Sequence, residues 1–191
     1  MINFNSKTNL VEFIQIYDDI LSDDLCDRII DEYSDPVEWF QAGTSDKTLT
    51  DVRTCSRIFI SDIKSIQKNQ DSRKTINNDI FYCVNTAVEK YVSQFTYLDI
   101  RQVSDYQLLK YDTNQYYMEH CDSNHKISRA ISCAMALNGD YDGGEFAFFS
   151  GQHKVKLNKK SVIMFPANFM FPHQILPVTN GTRYSIISWL S

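Results

Sequence analysis

The feature that most limits how this chain can fold is a change of period near Asp99. Beyond it the sequence breaks into the short runs YQLLKY, RAISCAMAL, EFAFF, HKVKL, SVIMF, HQILPV and RYSIISWL, rich in β-branched and aromatic residues. Asn138-Gly139, Asp142-Gly143-Gly144 and Asn180-Gly181 punctuate them, and such pairs supply the positive φ angles that tight connections need. Strand runs of this number and spacing predict a sandwich or barrel. Before Asp99 the signals are helical. Ser22 reads as an N-cap, Asp23 and Asp24 suit the positive end of a helix dipole, and Leu25, Ile29, Ile30 and Tyr33 form one stripe. A longer helix is predicted from about Thr75 to Phe95, where Ile76, Ile80, Val84, Val88, Val92 and Phe95 recur at three- or four-residue spacing.

The expected fold class is therefore α+β, with helices laid outside a strand core. At 191 residues, with six Gly, four Pro and no linker-like tract, the chain is one domain's worth. We expect a single domain over 1–191, in which 1–98 supplies helical support and outer strands and 99–191 the strand core.

Composition narrows the function classes. A net charge of -5 argues against a polyanion, so nucleic acid is not an expected partner. No apolar run approaches the roughly 18 to 20 residues that span a bilayer, so no membrane partner is expected. The opening MINFNSKTNLVEF lacks a basic stretch followed by an apolar block, which makes a cytoplasmic location the expectation. The five cysteines are odd in number, irregularly spaced and without a CxxC, as reduced thiols would be. Asn180-Gly181-Thr182 then reads as turn chemistry rather than a glycosylation sequon.

Four histidines occur, and two carry chemistry. His120-Cys121-Asp122, if extended, sends the imidazole and the carboxylate to one face and Cys121 to the other, a geometry that can chelate a metal. Alone the triplet is weak: chance supplies on the order of 0.4 of them in such a chain, and a surface His beside a loop Asp is the plainer reading. His173 shifts the balance. It lies in a β-like run, and two His with one Asp on neighbouring strands form a facial triad that binds Fe(II) on one side and leaves three positions open. A structural site would close its shell with four protein ligands, and no fourth candidate stands out. His125 and His153 lie in polar stretches and read as solvated.

Ten residues after His173, Arg183 and Ser185 share a strand face with Ile187 and Trp189. An inward face that begins with Arg and Ser calls for an anionic ligand, since an unpaired buried guanidinium costs several kcal/mol. An exposed edge Arg paired with one of the many acids is the alternative. Register bears on the choice. A two-residue hairpin at Asn180-Gly181 would pair His173 with Ser188 and turn Arg183 away from His173. Both face inward only if the connection crosses between two facing sheets, as in a jelly roll.

These residues resemble a known family. LLKYDTNQYYMEHCD, YDGGEFAFF, SVIMFP and PHQILPVTNGTRYSIISWL resemble the catalytic half of the Fe(II)- and 2-oxoglutarate-dependent dioxygenases of the prolyl 4-hydroxylase-like branch, and DVRTCSRIFI resembles its Arg-Thr-Ser segment. The resemblance implies a double-stranded β-helix in which His120, Asp122 and His173 bind iron. It implies that Arg183 holds the distal carboxylate of 2-oxoglutarate with help from Tyr111, and Ser185 adds a donor beside Arg183. Arg53, Tyr117, Arg129 and Trp189 match the residues lining the branch's substrate groove. Fe(II), 2-oxoglutarate and O2 are the implied cofactors, with ascorbate as an accessory reductant, and a proline-containing peptide or protein is the implied substrate. A loop corresponding to the polar stretch Gln41 to Val52 closes over substrate in that family.

Some positions depart from the pattern. Arg183 stands where collagen-type and plant-type members use Lys, Cys55 replaces the usual Ser, Arg57 replaces a small residue, and Phe146 replaces a Thr. Two rival readings are the same oxygenase chemistry on a free amino acid, another side chain or a nucleobase, and a jelly-roll module that binds metal without turnover. Trp189 occupies the place of the second Arg of alkylated-base repair members, and the intact Asp122 disfavours halogenation.

Overall fold

The computed structural model describes residues 9–43, 51–61 and 69–191. Two helices, α1 (Asp23–Glu32) and α2 (Gln70–Gln94), precede most of the strands. In chain order the strands are β1 (Gln15–Tyr17), β2 (Phe40–Gln41), β3 (Ser56–Phe59), β4 (Gln107–Tyr111), β5 (Tyr117–His120), β6 (Ile131–Ala136), β7 (Asp142–Gly143), β8 (Phe146–Phe148), β9 (His153–Val155), β10 (Val162–Pro166), β11 (His173–Ile175), β12 (Val178–Asn180) and β13 (Arg183–Leu190). They form a seven-stranded sheet in the order β1-β10-β6-β13-β4-β3-β2, a four-stranded sheet β5-β11-β8-β9, and a β12-β7 pair. Every pairing between these strands is antiparallel. The α+β double-stranded β-helix expected from the sequence is the observed fold.

The large sheet is covered on both faces, which is why its central strands read as nearly unbroken apolar runs. On one face Leu108, Met135, Met164 and Ile186 meet Leu25, Ile29, Ile76, Ile80 and Val84 of the two helices. On the other, Leu109, Ala134, Ile163 and Phe165 face Phe146, Phe148 and Ile175 of the small sheet. Burying an aliphatic or aromatic side chain of this size stabilises by roughly 1.5–3 kcal/mol, so this double layer fixes where the strands lie.

Helix α1 begins where expected, the Ser22 Oγ accepting from the Leu25 N–H at 3.1 Å. Helix α2 begins at Gln70, five residues before the expected Thr75, because the polar first turn is anchored rather than solvated. Arg73, 1% exposed, lies over the Tyr33 ring and donates to Glu32 and Glu38, each at 2.8 Å.

The expected HQILPV run divides into β11 and β12 around Leu176-Pro177, and Asp142-Gly143, expected as a turn, pairs with β12. All five cysteines are unbridged. Among the described residues no helix is long and apolar enough to cross a membrane.

Candidate metal centre

The crossing argued from register is present. His173 opens β11 in the small sheet, paired with His120 on one side and Phe148 on the other. The chain then runs through β12 and the Gly181 turn, at φ +78°, into β13 in the large sheet. His173 and Arg183 therefore face one cavity from opposite walls.

That cavity encloses about 440 Å³, within the range of small-molecule sites. On its small-sheet wall the nearest ligating atoms of His120, Asp122 and His173 all lie within 4.8 Å of one another. His120 Nε2 is 3.3 Å from Asp122 Oδ1, and His173 Nε2 is 3.5 Å from Asp122 Oδ2. Asp122 lies just past the end of β5 rather than on it, so the bend after His120, not strand alternation, brings its carboxylate to the imidazole. Cys121 borders the cavity outside the ligand cluster. His125 is exposed and His153 partly so, as expected.

Outer hydrogen bonds orient the three groups. His120 Nδ1 lies 2.8 Å from the Met118 carbonyl and His173 Nδ1 3.2 Å from the Phe171 carbonyl. A carbonyl only accepts, so Nδ1 carries a proton in each ring, and this anchoring turns both Nε2 atoms toward Asp122. The Ser132 hydroxyl donates to Asp122 Oδ2 at 2.6 Å. Burial would raise the Asp122 carboxyl, but His173, His120 and Ser132 together outweigh it and hold the group well below the usual carboxylate range. Burial, against the opposing pull of Asp122, pushes His173 down to about 4. At neutral pH the cluster thus offers one carboxylate and an unprotonated His173, a donor set suited to a divalent transition metal. Among the described residues no other His, Cys, Asp or Glu joins it, so an ion held there would keep open positions toward the cavity.

The opposite wall ends in Arg183, 3% exposed and paired in register with Tyr111. Its Nη1 donates to Ser185 Oγ at 2.8 Å, and its guanidinium lies 5.2 Å from the Tyr111 ring centroid and 5.5 Å from that of Phe146. Among the described residues no carboxylate pairs with it. Tyr111 is fully buried, and burial drives its phenol well above its ordinary value, so it stays protonated as a donor.

The groove residues fall together in two pairs. Arg53 lies 4.7 Å over the Tyr117 ring, and Tyr117 stacks on His120 at 3.6 Å between centroids. Arg129 lies 3.5 Å over Trp189 and donates to the Asp122 backbone carbonyl at 3.0 Å. The structure thus brings all ten candidate residues to one cavity. It adds some that sequence reasoning passed over. Ser132 was one polar position in an apolar run. Phe146, Phe148 and Phe165 surround His173 with ring centroids 4.7–6.3 Å away, and in the sequence they read only as parts of apolar strand runs. Of the proposed closing loop, residues 44–50 lie outside the described residues.

Comparison with known proteins agrees with this geometry. The family model of the 2OG-Fe(II) oxygenase superfamily matches residues 106–191. A PKHD-type hydroxylase of Idiomarina loihiensis is 28% identical over 96 residues, 47% of this chain and 43% of that protein. One from a Synechococcus species is 34% identical over 90 residues, 42% of this chain and 39% of the other. The matched stretch is thus less than half of either relative's length. Among solved structures, a Trichoplax adhaerens prolyl hydroxylase in complex with a hypoxia inducible factor peptide superposes with a TM-score of 0.76 at 14% identity, covering 93% of this chain and 83% of that one. A Pseudomonas putida prolyl-4-hydroxylase gives 0.71 at 19% identity, with 93% and 92% covered.

Proposed function

We propose that this chain, whose residues 106–191 match the family model of the 2OG-Fe(II) oxygenase superfamily and whose fold is that of the prolyl hydroxylase structures, uses Fe(II), 2-oxoglutarate and O2 to hydroxylate prolyl residues of a peptide or protein. The observation that carries the reading is the pairing across one cavity of a three-ligand cluster with a buried guanidinium that has no carboxylate partner among the described residues.

In this reading His120, Asp122 and His173 hold the iron, the histidines through Nε2. Arg183 forks onto the distal carboxylate of 2-oxoglutarate, with Ser185 and Tyr111 as further donors. The iron and co-substrate, once bound, supply the oxidation of an unactivated C–H bond, coupled to loss of CO2 and release of succinate. The chain's own residues bind, orient and exclude water. Phe146 and Phe165 keep the inner end apolar, which strengthens the Arg183 interaction. Tyr117 and Trp189 offer flat walls to a pyrrolidine ring, while Arg53 and Arg129 are placed to donate to backbone carbonyls of a peptide.

The peptide bound in the Trichoplax structure supports a peptide substrate for this fold. We also propose that the chain works as a single domain in the cytoplasm, with ascorbate keeping the iron ferrous. The test is incubation of the purified protein with Fe(II), 2-oxoglutarate and proline-containing peptides. Succinate release with a gain of one oxygen on proline is expected, and a protein that consumes no 2-oxoglutarate with any peptide overturns the reading. His120→Ala should abolish metal binding, and Arg183→Ala should abolish metal-dependent 2-oxoglutarate binding, to which a non-catalytic metal module would be indifferent.

A further inference from the structure

The cavity's charge is lopsided for a chain of net charge -5. Among the described residues four arginines line it, Arg53, Arg57, Arg129 and Arg183, against the single carboxylate of Asp122. Arg183 has a role at the inner end, and the other three form no ion pair among the described residues. Among the described residues Arg53 donates only to the Cys55 sulfur and the Gly43 carbonyl, and its Nη2 is buried with no partner there. Arg129 reaches the backbone, not the carboxylate, of Asp122. Arg57 is half-buried, lies 4.7 Å over the Phe59 ring, and forms no ion pair among the described residues. Strand register places it across Leu109 from Ser185, on the cavity face of β3. Burial and the proximity of Arg53 both hold the Arg57 guanidinium below its ordinary pKa, a mutual repulsion that an anion in the cavity would relieve.

We propose that the cavity selects a peptide carrying an acidic side chain beside the residue to be modified, and that Arg57 reads that carboxylate. The proposal rests on the oxygenase reading above and names its substrate class. A peptide fits better than a nucleic acid. The unpaired cations are gathered in the cavity of an otherwise acidic chain rather than spread as a surface stripe. Gln107 Oε1, also lining the cavity, is buried without a partner and calls for an N–H donor, which a peptide backbone supplies at every residue but proline. Arg57 is a specificity residue that the family pattern does not supply, since a small residue is usual there.

The experiment uses the full chain loaded with Mn(II) and 2-oxoglutarate, so that binding is read without turnover. Fluorescence anisotropy compares labelled proline peptides of equal length flanked by Glu, Gln or Lys, and a labelled single-stranded oligonucleotide. The Glu-flanked peptide should bind about tenfold tighter than the Gln-flanked one, with the gap closing as salt is raised. Arg57→Gln should erase the preference and Arg57→Glu should turn it toward the Lys-flanked peptide. Equal binding of the Glu and Gln peptides, tighter binding of the oligonucleotide, no peptide binding, or a preference that survives Arg57→Gln overturns the proposal. Binding of 2-oxoglutarate alone to the Mn(II) protein is measured beside it. If the keto acid binds and the charge preference is absent, only this inference fails; if the keto acid does not bind, both fall.

Discussion

Replacing Gly144 by Ala tests whether the Gly-Gly segment is more than a turn. Gly144 sits at φ +66°, where an L-residue costs about 1–2 kcal/mol. Its added Cβ would stand 2.9 Å from Arg183 Cδ, 3.1 Å from Tyr141 Cε2 and 3.2 Å from Val178 Cγ2, all closer than ordinary contact. Arg183 has little room to give way, because its head is tied to Ser185 at 2.8 Å and lies between the rings of Tyr111 and Phe146. Overpacking of this kind costs about 1–3 kcal/mol, so the total destabilisation should be about 2–5 kcal/mol. The displaced guanidinium should also weaken 2-oxoglutarate binding to the Mn(II)-loaded protein by roughly tenfold or more, because a buried charge contact tolerates little misplacement. Metal affinity without the keto acid should not change, since the ligand cluster belongs to β5, the bend after it and β11. Urea unfolding and calorimetric titration read the two effects separately. A variant with the unfolding midpoint and keto-acid affinity of the parent would refute the idea that Gly144 makes room for Arg183.

Three further outcomes follow from the same geometry. Ser132→Ala removes the 2.6 Å hydrogen bond to Asp122 Oδ2, and metal affinity should fall about 10- to 100-fold by titration, with Ser132→Thr restoring it. In the metal-free protein His173 titrates near 4 when folded and near its ordinary value of about 6.5 when unfolded. Between those values the unfolded chain binds more protons, so stability should fall as pH drops from 6.5 toward 4; urea midpoints at pH 7 and 5 check this, and His173→Gln should reduce the difference. Arg73→Leu strands Glu32 and Glu38 in a mostly buried site and should destabilise by about 3–5 kcal/mol, read as a lowered thermal midpoint with metal binding retained.

How far the sequence revealed this protein depends on the kind of interaction concerned. Local chemistry was legible: Ser22 caps α1 as read, and the apolar stripe of α2 packs on the sheet. The start of α2 was not, because Arg73 looks like a solvated residue until its partners, 41 and 35 positions earlier, are known. Asp142-Gly143 reads as turn chemistry in one dimension, yet it pairs with Val178 and Asn180. In the site, residue types separated by ten positions could be assigned to facing walls by counting register. The Ser132 bond to Asp122 and the stacking of Arg129 on Trp189, 60 residues further along the chain, needed coordinates.

The ten residues from His173 to Arg183 explain why metal and co-substrate groups can share one cavity. A direct hairpin would place His173 and Arg183 on opposite faces of a single sheet, and no rotamer change could reunite them. Pro177 lacks an N–H, so it cannot extend β11 as an interior ladder donor, and its carbonyl instead accepts from the Gly144 N–H at 3.2 Å. The same connection therefore pins Gly144 beside the Arg183 side chain while carrying the backbone across the sandwich. Lengthening it by one residue between Val178 and Gly181 should leave β11 and the metal ligands in place, shift the register of β13 against Tyr111, and abolish keto-acid binding while metal binding survives. An insertion that left both intact would mean that the crossing sets neither register nor site.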